Sequence, residues 1–287
     1  MELEKPQYSM TFDDEQGQVV ESGTQDLAAL TKKVLHSFNP APEVEDLPDF
    51  TVQLPAGLIV DGELFQTAEV RELTGEDEEK LAKARAANNA SKIISTLIQC
   101  GTVSVGDTKA SEKILNSLLQ GDLDTLLLGI RRVTFGDEFE VFNIQCSECG
   151  EANDVKMKLS DIPMKTLDDP EKRVFTVSLR QGRKATLTLP TGALQLELFK
   201  KQYTLAEMNS ITLASCVQTF IEANGEEHPC SGLADVKKLG LADRKSLQDF
   251  IYNTQPGPRY DEVVAACHAC EAEVLVPLSV GLLFRDI

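Results

Sequence analysis

Two short segments of the chain decide its architecture: Cys146-Ser147-Glu148-Cys149-Gly150 and Cys267-His268-Ala269-Cys270-Glu271. Each segment places two cysteines three positions apart, so that both thiolates of a tight turn can reach one metal ion. Gly150 gives the backbone freedom that is often needed after the second cysteine. Glu271 takes that place in the other segment and predicts a slightly different shape. One segment supplies two ligands, whereas a structural zinc ion binds four.

The two segments belong to a longer internal similarity. Cys146 and Cys267 are 121 residues apart, and the same offset aligns further residues on both sides: Asp122 with Asp243, Leu126 with Leu247, Ile130 with Ile251, Gly136 with Gly257, and Val155 with Val276. Upstream, an offset of 117 aligns Thr74-Gly75 with Thr191-Gly192. This ordered series predicts an internal duplication.

The predicted fold class is α+β, with two duplicated modules that each end in a zinc-knuckle hairpin. The first module covers residues 50–165 and the second module residues 172–287, with residues 163–172 as the linker. We expect the modules to pair as a pseudo-dimer, so that both hairpins face one ion. Residues 1–49 form a separate acidic arm, with a hairpin (8–12 with 18–21), a helix (24–38) and a tether (40–48).

Hydrophobic periodicity and turn residues predict the elements of each module. In the first module we expect strands at 50–54, 58–60 and 67–73, with Asp61-Gly62 as a hairpin turn. Helices follow from Thr74, at 91–100, at 111–119 and after an Asp122 cap, and then a hairpin of 139–144 with 154–159. In the second module we expect strands at 175–179 and 185–189, helices near 192–222 and 242–253, and strands near 263–264 and 274–280.

The predicted metal ligands of a structural zinc site are Cys146, Cys149, Cys267 and Cys270. A redox role is an alternative, but redox Cys-x-x-Cys pairs normally lie at a helix N-terminus, and these lie between predicted strands. Reduced cysteines of a decayed site are a second alternative. The remaining candidates have simpler interpretations: an exposed, uncoordinated ring for His268, loop residues or a partial second site for His228 and Cys230, and core packing for Cys100 and Cys216.

Composition narrows the possible partners. The chain has 287 residues with a net charge of −18, which makes it a poor ligand for nucleic acid. Residues 1–50 hold eleven Asp and Glu against three Lys, either for solubility or for docking on a basic partner. No apolar run is long enough for a membrane helix, and the N-terminus has no secretory pattern, so we expect a cytosolic protein.

Motifs for catalysis are missing from the sequence. It contains no Gly-rich phosphate loop, no nucleophile elbow and no His-Glu-x-x-His, and its three histidines are scattered. The acidic run 76–79 fits a helix N-terminus, and Arg131-Arg132 fits a helix C-terminus or contact with an acidic partner. Zinc enclosed by four cysteines leaves no position for water. The sequence therefore predicts no enzymatic activity and no small-molecule substrate.

The order of features over residues 50–165 resembles a known family. The features are Leu54-Pro55-Ala56-Gly57, Val70-Arg71-Glu72-Leu73-Thr74 before the acidic helix, Ile98-Gln99-Cys100, Gly121-Asp122 with Leu126, Leu127 and Arg131, Phe135-Gly136, and Cys146-x-x-Cys149. They resemble the baseplate hub assembly proteins of T-even-type contractile-tailed bacteriophages. The second module and the arm extend beyond the usual shorter family member.

The resemblance implies a non-enzymatic role in baseplate hub assembly or baseplate structure, with phage tail or hub proteins as partners. The protein would then act in the host cytoplasm during assembly or remain in the virion tail baseplate. The alternative is a cytosolic zinc-ribbon adapter that binds host transcription or translation machinery. Lys156 and Lys158 hint at the basic stripe that an adapter needs, whereas Glu271 and Glu273 oppose it. An enzyme is the third reading.

Overall fold

The computed structural model describes residues 12–13, 19–20, 49–86, 89–285 and 287. The chain divides into two compact units, Met1–Leu47 and Pro48–Ile287. In the first unit, β1 (Phe12–Asp13) pairs antiparallel with β2 (Val19–Val20), in agreement with the predicted hairpin. The predicted helix at 24–38 and the tether at 40–48 lie outside the described residues.

The unit Pro48–Ile287 is a mixed α+β structure with several small antiparallel sheets, which confirms the α+β part of the predicted fold class. Its first hairpin joins β3 (Asp49–Val60) to β4 (Glu63–Arg71). Asp61 and Gly62 form the turn with φ of 52° and 86°, as their sequence predicts. The hairpin register shifts between Gln53 and Leu58, which leaves a bulge in β3.

The remaining elements of the first module follow in a regular order. They are α1 (Gly75–Ala86), α2 (Ala90–Gly101), β5 (Thr102–Val105), β6 (Thr108–Lys109), α3 (Glu112–Ser117), α4 (Gln120–Phe135), β7 (Glu138–Gln145) and β8 (Ala152–Lys158). β5 and β6, which the sequence pattern does not predict, extend the first hairpin into a four-stranded sheet. Asn89 and Ser111 cap α2 and α3 by accepting backbone N–H bonds.

The second module repeats this order of elements. After β9 (Met164–Lys165) it contains β10 (Phe175–Ser178), β11 (Lys184–Leu187), α5 (Gly192–Leu198), α6 (Leu205–Cys216), β12 (Val217–Ile221), β13 (Glu227–Pro229), α7 (Leu233–Lys238), α8 (Leu241–Thr254), β14 (Gly257–Pro258), β15 (Val264–Ala266), β16 (Glu273–Leu275) and α9 (Val280–Leu283). Strands β10 to β13 form a second four-stranded sheet.

Two predicted elements of the second module are wrong. Helix α6 ends at Cys216, and the next residues form the central strand β12 instead of continuing the helix to 222. Its β-branched residues suit a strand that pairs on both sides. The predicted strand 274–280 stops at Leu275, because Pro277 interrupts it, and Ser279 then caps α9.

The main hydrophobic core belongs to the first module but includes the end of the second. Leu126, Leu127 and Ile130 of α4 are completely buried against the first sheet. Full burial of one such side chain contributes about 1.5–3 kcal/mol. The core also contains the terminal residues Val263, Cys267, Val274, Val276, Leu283 and Phe284. A separate core of the second module is built around Leu187, Leu213 and Leu247.

A seam of backbone and side-chain bonds joins the modules. The linker strand β9 pairs with β14, so residues 163–172 are not a simple spacer. The backbone N–H of Gly192 donates to the carbonyl oxygen of Leu118 at 2.9 Å. The buried amide of Gln195 donates to the Asp124 carboxylate at 3.0 Å. Helix α5 of the second module is thereby fixed to the helices of the first.

The sequence predicted that Asp122 caps helix α4, and this prediction is wrong. The helix starts at Gln120, so Asp122 lies within its first turn and is completely buried. Its Oδ1 accepts bonds from the N–H groups of Ala56 and Gly57 in the bulge of β3. The aligned Asp243 of α8 likewise accepts a bond from the N–H of Arg180, between β10 and β11. The carboxylates therefore connect helix and hairpin in both modules.

Burial of Asp122 predicts a specific pH effect. Desolvation raises the pKa of this carboxyl group from 3.8 to about 6. The folded state therefore binds a proton at Asp122 more tightly than the unfolded state does. The contribution of this proton to the unfolding free energy is complete below pH 4 and is lost as pH rises towards 6. The side chain of Asp122→Asn cannot ionise, so this variant should not lose the contribution. We expect its unfolding free energy, measured relative to that of wild type, to rise by about 3 kcal/mol between pH 4 and pH 7.

Urea unfolding of both proteins at several pH values measures this difference. Asp124, whose pKa burial also raises to about 6, is present in both proteins and cancels in the comparison. A gap between the two proteins that stays constant from pH 4 to pH 7 would contradict the prediction.

Candidate metal centre

The first cysteine pair lies in the bend of the hairpin between β7 and β8. The N–H of Cys146 donates to the carbonyl oxygen of Glu151, and the N–H of Gly150 donates to that of Cys146, both at 2.9 Å. Gly150 has φ of 75°, a left-handed conformation that glycine adopts without steric cost. The tight turn therefore directs both thiols to one side.

The second cysteine pair repeats the same backbone bonds between β15 and β16. The N–H of Cys267 donates to the carbonyl oxygen of Ala272 at 2.8 Å, and the N–H of Glu271 donates to that of Cys267 at 2.9 Å. Glu271 has φ of 61°, close to the angle of Gly150. The expectation of a different shape is therefore wrong for the backbone, because Glu271 accepts the left-handed conformation.

The left-handed positions predict opposite effects of substitution. A side chain in this conformation costs about 1–2 kcal/mol, partly offset by the greater freedom of glycine in the unfolded chain. We expect Gly150→Ala to lower the unfolding free energy by about 1 kcal/mol and Glu271→Gly to raise it by a few tenths. Thermal unfolding of both variants tests this, and equal shifts in one direction would contradict it.

The structure brings all four predicted ligands together. The sulfur atoms of Cys146, Cys149, Cys267 and Cys270 lie within 4.8 Å of one another. Cys146 Sγ is 3.7 Å from Cys270 Sγ, and Cys149 Sγ is 3.7 Å from Cys267 Sγ. Tetrahedral zinc with Zn–S bonds of about 2.3 Å requires sulfur atoms about 3.8 Å apart. The spacing of the sulfur atoms fits one metal ion bound tetrahedrally by four thiolates.

Backbone donors and neighbouring thiols shape the electrostatics of the cluster. The N–H of Ala269, helped by the N–H of Cys270, lowers the pKa of the Cys267 thiol to about 6. For Cys270 the N–H of Ala272 also lowers the pKa, but the thiols of Cys149 and two further cysteines outweigh it and raise the pKa to about 12. Four thiolates therefore repel one another, and a divalent cation would stabilise all of them.

Burial divides the cluster into an inner and an outer pair. Cys146 and Cys267 are buried and belong to the main core, whereas Cys149 and Cys270 are exposed. An ion held there would connect the core to the surface and the first module to the second. With four sulfur ligands it would have no position for water or substrate. The donor set fits a structural ion and not a hydrolytic one.

Comparison with models of known protein families assigns the chain to a family. The sequence model of a family described as T4 bacteriophage base plate protein matches residues 48–282. The chain belongs to this family. No curated protein and no solved structure gave a match.

The family assignment confirms the resemblance drawn from the sequence and corrects its extent. The sequence features that carry the resemblance lie in residues 50–165, and the second module was expected to extend beyond the usual family member. The match covers both modules and both cysteine pairs. The second cysteine pair therefore lies within the part of the chain that this baseplate family shares.

The other candidate ligands of this baseplate protein lie apart from the cluster. His268 is exposed, and its Nδ1 lies 2.9 Å from Asn153 Oδ1. His228 lies in β13 beside Glu226, and Cys230 contacts the carbonyl oxygen of Gly232. In the described part of the chain, no second group of three or more potential ligands accompanies the four cysteines. Cys100 and Cys216 lie in α2 and α6, where burial raises the thiol pKa of each.

Asn153 is the site residue that sequence reasoning missed. It lies in β8, two residues past the turn, and is 4% exposed. Its side chain bonds to both knuckles, to Glu151 of the first and His268 of the second. A polar residue in an alternating strand carries no signal of such a contact, since the partner is 115 residues away.

No helix in the described residues is long and apolar enough to cross a membrane.

Proposed function

We propose that this protein is a non-enzymatic component of a phage tail baseplate that acts through protein–protein contacts in hub assembly or in the baseplate itself. The observation that carries the proposal is the family match over residues 48–282. The architecture supports it, since buried polar groups are used in structural bonds: Asp122 and Asp243 within their own modules, and Gln195 between the modules.

The cysteine cluster holds one structural zinc ion in this proposal. Soft thiolate ligands in a tetrahedral arrangement favour zinc over calcium, magnesium and manganese. The ligands are Cys146 and Cys149 from the first module and Cys267 and Cys270 from the second. The ion thereby clamps the modules together and keeps the binding surfaces of both in a fixed arrangement.

Internal duplication explains how this site arose. The repeated order of elements and the two carboxylates that join helix to hairpin support it. In this proposal each ancestral module contributed half a site, and pairing of two modules completed it. The modules have since diverged: Arg244 fills the place of Leu123 and donates to Ser210 in the second module.

The partners in this proposal are tail or baseplate hub proteins of the same phage. The protein meets them in the host cytoplasm during assembly and either leaves or remains in the virion tail. A net charge of −18 favours partners with basic surfaces over nucleic acid.

Deletion of the gene from its phage, with complementation by wild type or variants, tests the function. We expect lysates without the protein to contain tails that lack complete baseplates by electron microscopy, and wild type to restore them. Mass spectrometry of purified virions separates a permanent component from an assembly factor. Normal baseplates and full infectivity without the protein would refute the proposal.

A further inference from the structure

The side chain of Asn153 uses its whole hydrogen-bonding capacity. Its Nδ2 donates to the carbonyl oxygen of Glu151 at 3.0 Å and to that of Ile144 at 3.4 Å. Its Oδ1 accepts from the backbone N–H of His268 at 3.0 Å and lies 2.9 Å from His268 Nδ1. A buried amide with all four positions used is firmly oriented, because any rotation would leave a polar atom without a partner.

These partners determine which atoms carry hydrogen. Glu151 and Ile144 present carbonyl oxygens, which only accept, so the NH₂ group of Asn153 must point towards them. The amide oxygen then faces His268 and can only accept. The imidazole Nδ1 of His268 therefore carries the hydrogen and donates a hydrogen bond to Asn153 Oδ1. Nδ1 therefore cannot bind a metal ion, whereas Nε2 keeps its lone pair and is kept from the cluster by the position of the ring.

His268 would otherwise compete with the cysteines. It follows Cys267 directly within the second knuckle, and imidazole nitrogen is a common zinc ligand. The bond to Asn153 holds the ring against the first knuckle, outside the group of four sulfur atoms.

We propose that Asn153 is the positioning residue of the metal centre: it locks the two knuckles in register and withholds His268 from the ion. This inference rests on the proposed metal centre. The amide lies between the first knuckle, which is continuous with its own strand β8, and the backbone of the second. The knuckles thus meet before any ion binds, and the ion finds its ligands already arranged.

Replacement of Asn153 by Ala tests both parts. Loss of outer bonds to metal ligands typically weakens metal binding by about 10- to 100-fold. We expect Asn153→Ala to bind zinc weaker by that factor in competition with a chromophoric chelator. Cobalt(II), used as a spectroscopic probe, should show a changed d–d spectrum because His268 gains access to the ion.

Two further variants isolate the effect. Asn153→Ala/His268→Ala should regain the wild-type cobalt spectrum while zinc binding stays weak, since no imidazole can then replace a thiolate. Gln195→Ala removes another buried amide that joins the modules, but far from the cysteines in sequence and in a different set of bonds. It controls for general destabilisation and should keep wild-type zinc affinity and spectrum.

The possible outcomes distinguish a failure of the Asn153 proposal from a failure of the proposed metal centre. A wild-type protein that binds neither zinc nor cobalt overturns the metal centre and this inference together. Wild-type binding with an Asn153→Ala protein of unchanged affinity and spectrum overturns the inference alone. Weakened binding with an unchanged cobalt spectrum overturns the role in restraining His268.

Discussion

Replacement of Cys146 by Ser is expected to abolish stable zinc binding and to cause a large loss of stability. Cys146 is 3% exposed and lies within 3.7 Å of Cys270 across the modules, so its loss removes an inner ligand and breaks the clamp. An ion present at a thousandfold excess over its dissociation constant stabilises the folded state by about 4 kcal/mol. The variant should lose that amount, or roughly 10 °C in melting temperature.

Metal analysis and thermal unfolding, with and without added zinc, measure the effect. Wild type should contain one zinc ion per chain, and a strong chelator should lower its melting temperature to that of the variant. Cys230→Ser is the matched control, since this partly buried cysteine lies outside the cluster and should keep zinc and stability. Equal melting temperatures of wild type with and without zinc would refute a structural role for the ion.

Gly121→Ala is expected to destabilise the seam between the modules by about 3 kcal/mol. Gly121 lies in the first turn of α4, where the backbone of the segment around Pro256 and Gly257 crosses it. An added Cβ would overlap the carbonyl oxygen of Pro256 and lie 2.9 Å from Gly257 Cα. Both obstacles are backbone atoms, so no side-chain rotation can relieve the clash.

Gly75→Ala provides the control for this substitution. Gly75 opens helix α1, and an added Cβ there meets nothing within 4 Å. It should change the unfolding free energy by less than about 0.5 kcal/mol. Chemical unfolding of the full chain compares the two variants. Similar small effects at both positions would show that α4 and the Pro256 segment can move apart freely, contrary to the seam described above.

Local patterns predicted much of the fold. The Asp61-Gly62 turn, the helices of the first module and the hairpin at each cysteine pair follow from turn chemistry and periodicity, which act within a few residues. The short strands β5 and β12 were not predicted, because each follows a helix directly, joins an earlier hairpin from which two helices separate it, and carries little pattern of its own. Asp122 was misassigned for a related reason: a carboxylate near a helix start is locally a cap, and only the bulge of β3 redirects it.

The sequence by itself determined that two similar knuckles exist, that four cysteines are available, and that the chain resembles phage baseplate proteins. Only the tertiary structure decided that the four sulfur atoms meet, that Asn153 joins the knuckles, and that the end of the second module enters the core of the first. The reason is physical. Turn geometry and spacing depend on neighbouring residues, whereas the approach of groups more than 100 residues apart depends on how whole elements pack.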